Sequence, residues 1–291
     1  MNEIKYYAET VAAQVRLIAP DKDVRVVEVP KNGQIWTGIT VKEQDSNIAP
    51  NIYIDSFYNQ GIAAEEVAEK VIEIYESHKV ETFDVNSVMT WDYIKDHVKA
   101  RIINREKNED KLLRPIEGTD LAYAAAVLVD VKNTPGAIII KPEHLDSIGV
   151  TESELMDQAI RNLQAADDSY FSHLMDTIAS IPGCPYTDEE IEDMKAANPS
   201  YCVSNESKCN AAGYIFNESV REKINKALGQ KVFVLPSSIH ECLILPYIEG
   251  NEADLITMVR EVNKFQVVPE ERLADSVYVF ETDTAKLTKV A

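Results

Sequence analysis

The strand-forming stretches of this chain come in neighbouring pairs, and that spacing limits its fold more than any other feature. Residues 24–28 alternate Val24, Val26 and Glu28 with Arg25 and Val27, and 35–41 repeat a β-branched run. Lys31-Asn-Gly33 stands between them, and Asn-Gly takes positive φ at little cost, so the segment reads as a tight hairpin. Residues 121–131 and 137–141 form a second, more apolar pair around Asn133-Thr-Pro-Gly136. A third pair is 201–204 with 211–216, and a fourth is 231–235 with 242–245. Residues 51–55 read as a short strand or extended entry after Pro50, and 277–280 as a last strand.

Helical stretches separate these pairs. Ile4, Ala8, Val11, Val15 and Ile18 recur at helical spacing until Pro20 ends the run. Val67, Val71, Ile74 and Tyr75 line a second helix over 63–77. Thr151-Glu-Ser-Glu154 and Thr187-Asp-Glu-Glu190 are capping boxes. Asn217 opens a helix that Gly229 stops, and 252–264 reads as a long final helix. Residues 92–111 read as helix or extended chain. Paired strands separated by helices predict an α+β fold with antiparallel strand pairs, rather than a doubly wound parallel sheet. A joint at Arg114-Pro-Ile-Glu-Gly118 gives two expected α+β regions, 1–114 and 115–291, as subdomains or as parts of one domain.

Charge narrows the partners. The chain has 29 Lys and Arg against 49 Asp and Glu, a net charge of −20. Nucleic-acid binding draws on clustered basic residues that neutralise phosphates, and no such cluster is visible. An anionic membrane surface is disfavoured for the same reason. The 13 tyrosines suit a core or a protein interface, so the expected partner is another protein. No apolar h-region follows the first residues, and no run approaches the roughly 18 residues of a membrane helix. The expected location is the cytoplasm. Oligomeric state is not readable.

No complete catalytic motif is present. Gly-rich phosphate loops, the nucleophile elbow and the EF-hand loop are all missing, so no cofactor is implied. His240-Glu241 begins like a zinc-protease helix, but Ile244 stands where the second ligand belongs. Cys184, Cys202, Cys209 and Cys242 lack zinc spacing, so no metal site is expected. What remains is Leu235-Pro-Ser-Ser-Ile-His-Glu241. Ser237, Ser238, His240 and Glu241 are the residue types of acyl transfer. If the segment is extended, Ser238 and His240 share a face and Glu241 points away. A self-contained triad is then geometrically poor, and any catalytic partner must come from elsewhere. The alternative is structural: serines after a proline bond local backbone, and His240 and Glu241 satisfy buried polar groups. A second pair, Arg260 and Asn263, lies three apart on the last helix and suits a carboxylate or phosphate, or else local pairing and helix termination.

Four stretches are shared in character with a known group of proteins. They are Asn47-Ile-Ala-Pro-Asn-Ile-Tyr-Ile-Asp-Ser-Phe-Tyr58, Lys99-Ala-Arg-Ile-Ile-Asn-Arg-Glu-Lys-Asn108, the 235–241 segment and Met258-Val-Arg-Glu-Val-Asn-Lys-Phe-Gln-Val-Val-Pro-Glu-Glu271. From about residue 20 to about 280 the chain resembles a bacterial family known as a domain of unknown function. The resemblance implies a bacterial cytoplasmic protein and carries no activity, ligand or catalytic residue. Two expectations of function follow from the residues. The first is a non-enzymatic binding or regulatory protein acting through an acidic, Tyr-bearing surface. The second is a hydrolase-type enzyme using Ser238 or Ser237 with His240.

Overall fold

The computed structural model describes every residue except 1–2, 45, 47–48, 78–83, 132–133, 237 and 291. The fold is α+β, with antiparallel sheets and packed helices. The chain divides into two compact units, 1–88 with 130–136 and 89–129 with 137–291.

In the first unit, α1 (Glu3–Ile18) precedes the hairpin of β1 (Asp23–Lys31) and β2 (Gln34–Lys42). Asn32 and Gly33 have φ of 48° and 78°, the two left-handed turn positions that match the twist of paired strands. Strand β3 (Asn51–Tyr53) adds to β2, and α2 (Asp55–Asn59), α3 (Ala64–Ser77) and α4 (Val85–Val88) follow. The helical periodicity of α1 and α3 brings Val11, Val15, Val67 and Val71 onto buried faces, where they pack in one cluster with Ile39 and Val41 of β2.

The second unit opens with α5 (Trp91–His97), which runs directly into β4 (Val98–Asn104), so the ambiguous 92–111 stretch contains both helix and strand. Strands β4 and β5 (Leu113–Pro115) flank β6 (Leu121–Val131), and β7 (Thr134–Ile139) also pairs with β6. The Arg114–Gly118 joint therefore covers the end of β5 and the start of its connection to β6, its hydrogen-bonded partner. Asn133 of the expected turn is outside the described residues, and β7 already begins at Thr134. Gly149, with φ of 78°, ends α6 (Leu145–Ile148). Thr151 and Glu154 then form both halves of the capping box of α7 (Glu152–Gln164).

A six-stranded sheet makes up the rest. Its strands are β8 (Ser169–His173), β9 (Tyr201–Asn205), β10 (Lys231–Leu235), β11 (Cys242–Pro246), β12 (Tyr278–Glu281) and β13 (Lys286–Lys289). They lie in the order β13-β12-β10-β11-β9-β8, each antiparallel to its neighbour. Helices α8 (Leu174–Ala179) and α9 (Asp188–Ala197) connect β8 to β9. Helix α10 (Glu218–Leu228) precedes β10, and α11 (Glu252–Phe265) follows β11. Helix α11 packs Val259 against Phe233, Leu235 and Val277. No described helix is long and apolar enough to cross a membrane.

One expected strand is corrected. Residues 212–216 form a 3-10 helix, and β9 pairs instead with β8 and β11. All five residues of the 3-10 helix are buried, so no face is solvent-exposed and no alternation marks the conformation. Gly213 is pressed against Ile102 and Leu163; an added Cβ would stand 3.2 and 3.3 Å from their side chains. A close approach of this kind favours glycine.

Candidate functional site

The 236–241 segment is a loop between β10 and β11, not a continuation of either strand. The chain leaves β10 at Pro236, which cannot donate to a ladder. The Ser238 hydroxyl accepts the His240 backbone N–H at 3.0 Å, a local turn of the kind serine forms readily. Ser238 is buried at 9% exposure. Ser237 lies outside the described residues.

Both His240 nitrogens have partners. Nδ1 accepts the backbone N–H of Asn210 at 3.1 Å, which leaves the proton on Nε2 in the neutral ring. Nε2 faces Glu271 Oε1 at 3.4 Å. The backbone of the same residue is also engaged. His240 O accepts from Ser204 Oγ at 2.9 Å and from Ala211 N at 3.3 Å. Beside it, Ala212 N donates to Ile239 O at 3.2 Å, and Ile239 N donates to Glu271 O at 2.8 Å. His240 thus ties together three stretches of chain: the end of β9 with the loop after it, its own loop, and the segment following α11.

Glu241 turns elsewhere. Its Oε2 accepts the Cys202 thiol at 3.3 Å. Burial and then the Glu241 charge push the Cys202 thiol up to about 12, so it stays protonated near neutrality and is a poor nucleophile. The carboxylate opposite His240 is Glu271, the end of the 258–271 stretch, and no spacing in the sequence ties it to His240. Asn210 and Glu271 are 30 or more positions from His240, beyond any motif spacing.

The loop that His240 holds is itself closely stapled. Asn205 Oδ1 accepts from Cys209 N at 3.0 Å and from Ser207 Oγ at 3.0 Å, and Asn205 Nδ2 donates to Cys209 O at 3.2 Å. Lys208 and Asn210 have φ of 51° and 52°, a conformation that costs non-glycine residues energy and persists only where surroundings enforce it. The exposed thiol of Cys209 lies between them. His240→Ala leaves the Asn210 N–H and the Glu271 carboxylate without their partner. We expect a loss of about 1–3 kcal/mol in urea denaturation, with faster amide exchange confined to 205–212. Exchange raised evenly across the second unit would contradict a local clamp.

Arg260 and Asn263 are not brought together. Arg260 is exposed, whereas Asn263 is 2% exposed and donates to Ala274 O at 2.9 Å and to Asp275 Oδ1 at 2.7 Å. Asn263 thereby fastens α11 to the segment before β12.

A cavity of about 570 Å³ opens at the sheet edge beside β8, α9 and β9. Phe171 and Tyr201 stack there at 4.8 Å, and His173 meets Tyr201 edge-on at 5.1 Å. His173 Nδ1 accepts from Met175 N at 3.1 Å as the cap of α8. Lys195 is held between Asp176 and Glu192, 2.7 Å from the latter. The cavity therefore combines aromatic surface with a charge cluster of one lysine and two carboxylates. Among the described residues, no three His, Cys, Asp or Glu side chains are grouped to hold a metal.

A family model described as a family of unknown function (DUF5688) matches residues 4–282. No curated protein and no solved structure matches the chain.

Proposed function

The chain belongs to the DUF5688 family of unknown function, and from that premise we propose that it is a non-enzymatic binding or regulatory protein of the bacterial cytoplasm. One observation carries the reading. The hydroxyl of Ser238 accepts the His240 backbone N–H, and the Nδ1 and Nε2 atoms of His240 meet Asn210 and Glu271. Among the described residues, the groups that acyl transfer would need free are engaged in holding a loop. A general base must reach the proton it takes, and here its lone pair already accepts a backbone N–H. A net charge of −20 supports a partner with a basic surface, because complementary charge steers encounter and selects partners.

The reading is tested in two arms. Tagged protein is used to recover partners from lysate, and the purified protein is assayed against ester and phosphoester substrates. The expected outcome is a stoichiometric partner released by 0.5 M salt, given a Debye length below ~8 Å at that ionic strength. No turnover that depends on Ser238 or His240 is expected. Turnover abolished by Ser238→Ala, with folding intact, would overturn the proposal in favour of a hydrolase.

A further inference from the structure

A histidine outside the His240 clamp carries a buried donor with nothing to receive it. His173 ends β8 and is 8% exposed. Its Nδ1 accepts the backbone N–H of Met175 at 3.1 Å, as the cap of α8. The neutral ring therefore holds its proton on Nε2. That Nε2–H is buried and has no acceptor among the described residues. His240 differs, because its Nε2 faces Glu271. The ring neighbour of His173 is Tyr201 at 5.1 Å, and an aromatic ring is at most a weak acceptor for an N–H. Buried donors are nearly always paired, and leaving one unpaired lowers stability.

His173 is also a wall of the cavity of about 570 Å³ beside β8, α9 and β9. Small-molecule sites span roughly 300–1,000 Å³, so the cavity is of the right size for one. Sheet register builds one side of it. Phe171 and His173 are two apart on β8 and share a face. Tyr201 is the antiparallel partner of His173 on β9. The Phe171 and Tyr201 rings lie within 4° of parallel, 4.8 Å apart. The helices that join β8 to β9 build the other side. Asp176 comes from α8, and Glu192 and Lys195 come from α9. Lys195 bridges both carboxylates, which leaves one negative charge in excess. These groups come from separate stretches of chain, 171–176, 192–195 and 201, and meet at one cavity.

We propose that this cavity binds an organic cation, a guanidinium or ammonium group that carries a carbonyl or hydroxyl oxygen on the same molecule. The excess carboxylate charge attracts the cation. The Phe171 and Tyr201 rings offer it aromatic surface, on which a guanidinium stacks well. The oxygen accepts the His173 Nε2–H and completes the one pairing that the protein leaves open there. The site goes beyond the protein-partner reading and does not depend on it.

The test is calorimetric titration of the purified full chain with three probes. L-Argininamide has the cation and the carbonyl, agmatine has the cation without the carbonyl, and propionamide has the carbonyl without the cation. Wild type is expected to bind argininamide saturably and about tenfold more tightly than agmatine, with no measurable heat from propionamide. His173→Asn supplies an oxygen suited to capping α8 and withdraws the Nε2 donor. It is expected to keep the wild-type Tm and to bring argininamide down to the affinity of agmatine, with agmatine unchanged. Glu192→Gln removes the excess charge at an exposed position, and is expected to weaken both cations about threefold. Should His173→Asn fail to fold, Glu192→Gln together with the argininamide-to-agmatine ratio still decides. Acetyl-Gly-Arg-Gly-amide separates the sources of the cation. Tighter binding than argininamide identifies an arginine within a peptide, and weaker binding identifies a free molecule. No saturable binding of argininamide, equal affinities for argininamide and agmatine, or unchanged affinities in both variants would each overturn the site. Binding to the purified chain is measured without any lysate, so this site and the protein partner stand or fall separately.

Discussion

Asn217→Ala is expected to cost about 3–4 kcal/mol in urea denaturation. Asn217 is 1% exposed and uses its whole amide. Oδ1 caps α10 by accepting from Val220 N at 3.2 Å. Nδ2 donates to the carbonyls of Leu163, Gln164 and Ala166 at 3.1, 3.1 and 2.8 Å. Alanine removes the cap and takes the amide away from the carbonyls of Gln164 and Ala166, while Leu163 O keeps a backbone N–H from Ala166. Asn217→Asp separates the two roles. It keeps the capping oxygen but points a carboxylate at those carbonyls, so it is expected to be at least as destabilising as alanine. If aspartate restored most of the stability, the cap alone would account for the residue.

The second large effect depends on pH. Asp120 accepts from Tyr278 Oη at 2.5 Å, from Ser276 Oγ at 3.3 Å and from Lys289 Nζ at 2.8 Å. Burial raises the Asp120 pKa, but the hydrogen bonds from Lys289 and Tyr278 outweigh it and hold the carboxyl below its usual range. A carboxyl depressed in the folded state contributes stability above the unfolded pKa of about 3.9, and that contribution is lost as pH falls through the folded value. Tyr278→Phe withdraws a donor from a charged acceptor, and we expect about 2–3 kcal/mol lost at pH 7. The penalty should shrink in acid, once Asp120 is protonated in both proteins. Urea melts of both proteins at pH 7 and near pH 2 measure this, because the folded carboxyl titrates below its usual range. An equal penalty at both would show that packing of the ring, not the charged hydrogen bond, carries the effect.

Local chemistry made much of the fold legible. The turn at Asn32 and Gly33, the capping boxes at Thr151 and Thr187 and the stop at Gly229 all act within a few residues, and each is found in place. Elements without such marks were missed. Strand β8 reads Ser-Tyr-Phe-Ser-His, with no apolar alternation, because it is an edge strand with aromatic and polar groups mixed on both faces. The 212–216 segment, Ala-Gly-Tyr-Ile-Phe, is buried throughout, so no pattern of exposure separates strand from helix, and the close packing of Gly213 is a tertiary contact that local sequence does not announce. The site was legible in part. His240 stood out by residue type, but its partners did not, because Asn210 and Glu271 reach it through sheet topology rather than spacing.

The His240 clamp has a consequence for synthesis. It joins residues on either side of position 204, its own loop and Glu271, and the ribosome delivers them in that order. The 205–210 loop is made early, but the histidine that takes its N–H follows 30 residues later, and the carboxylate facing that histidine later still. Until His240 has emerged, the Asn210 N–H lacks its acceptor and the loop is held by the Asn205 contacts with Ser207 and Cys209. The 205–210 loop is therefore completed late, and a nascent chain arrested before 240 carries all of its residues without the acceptor that holds Asn210.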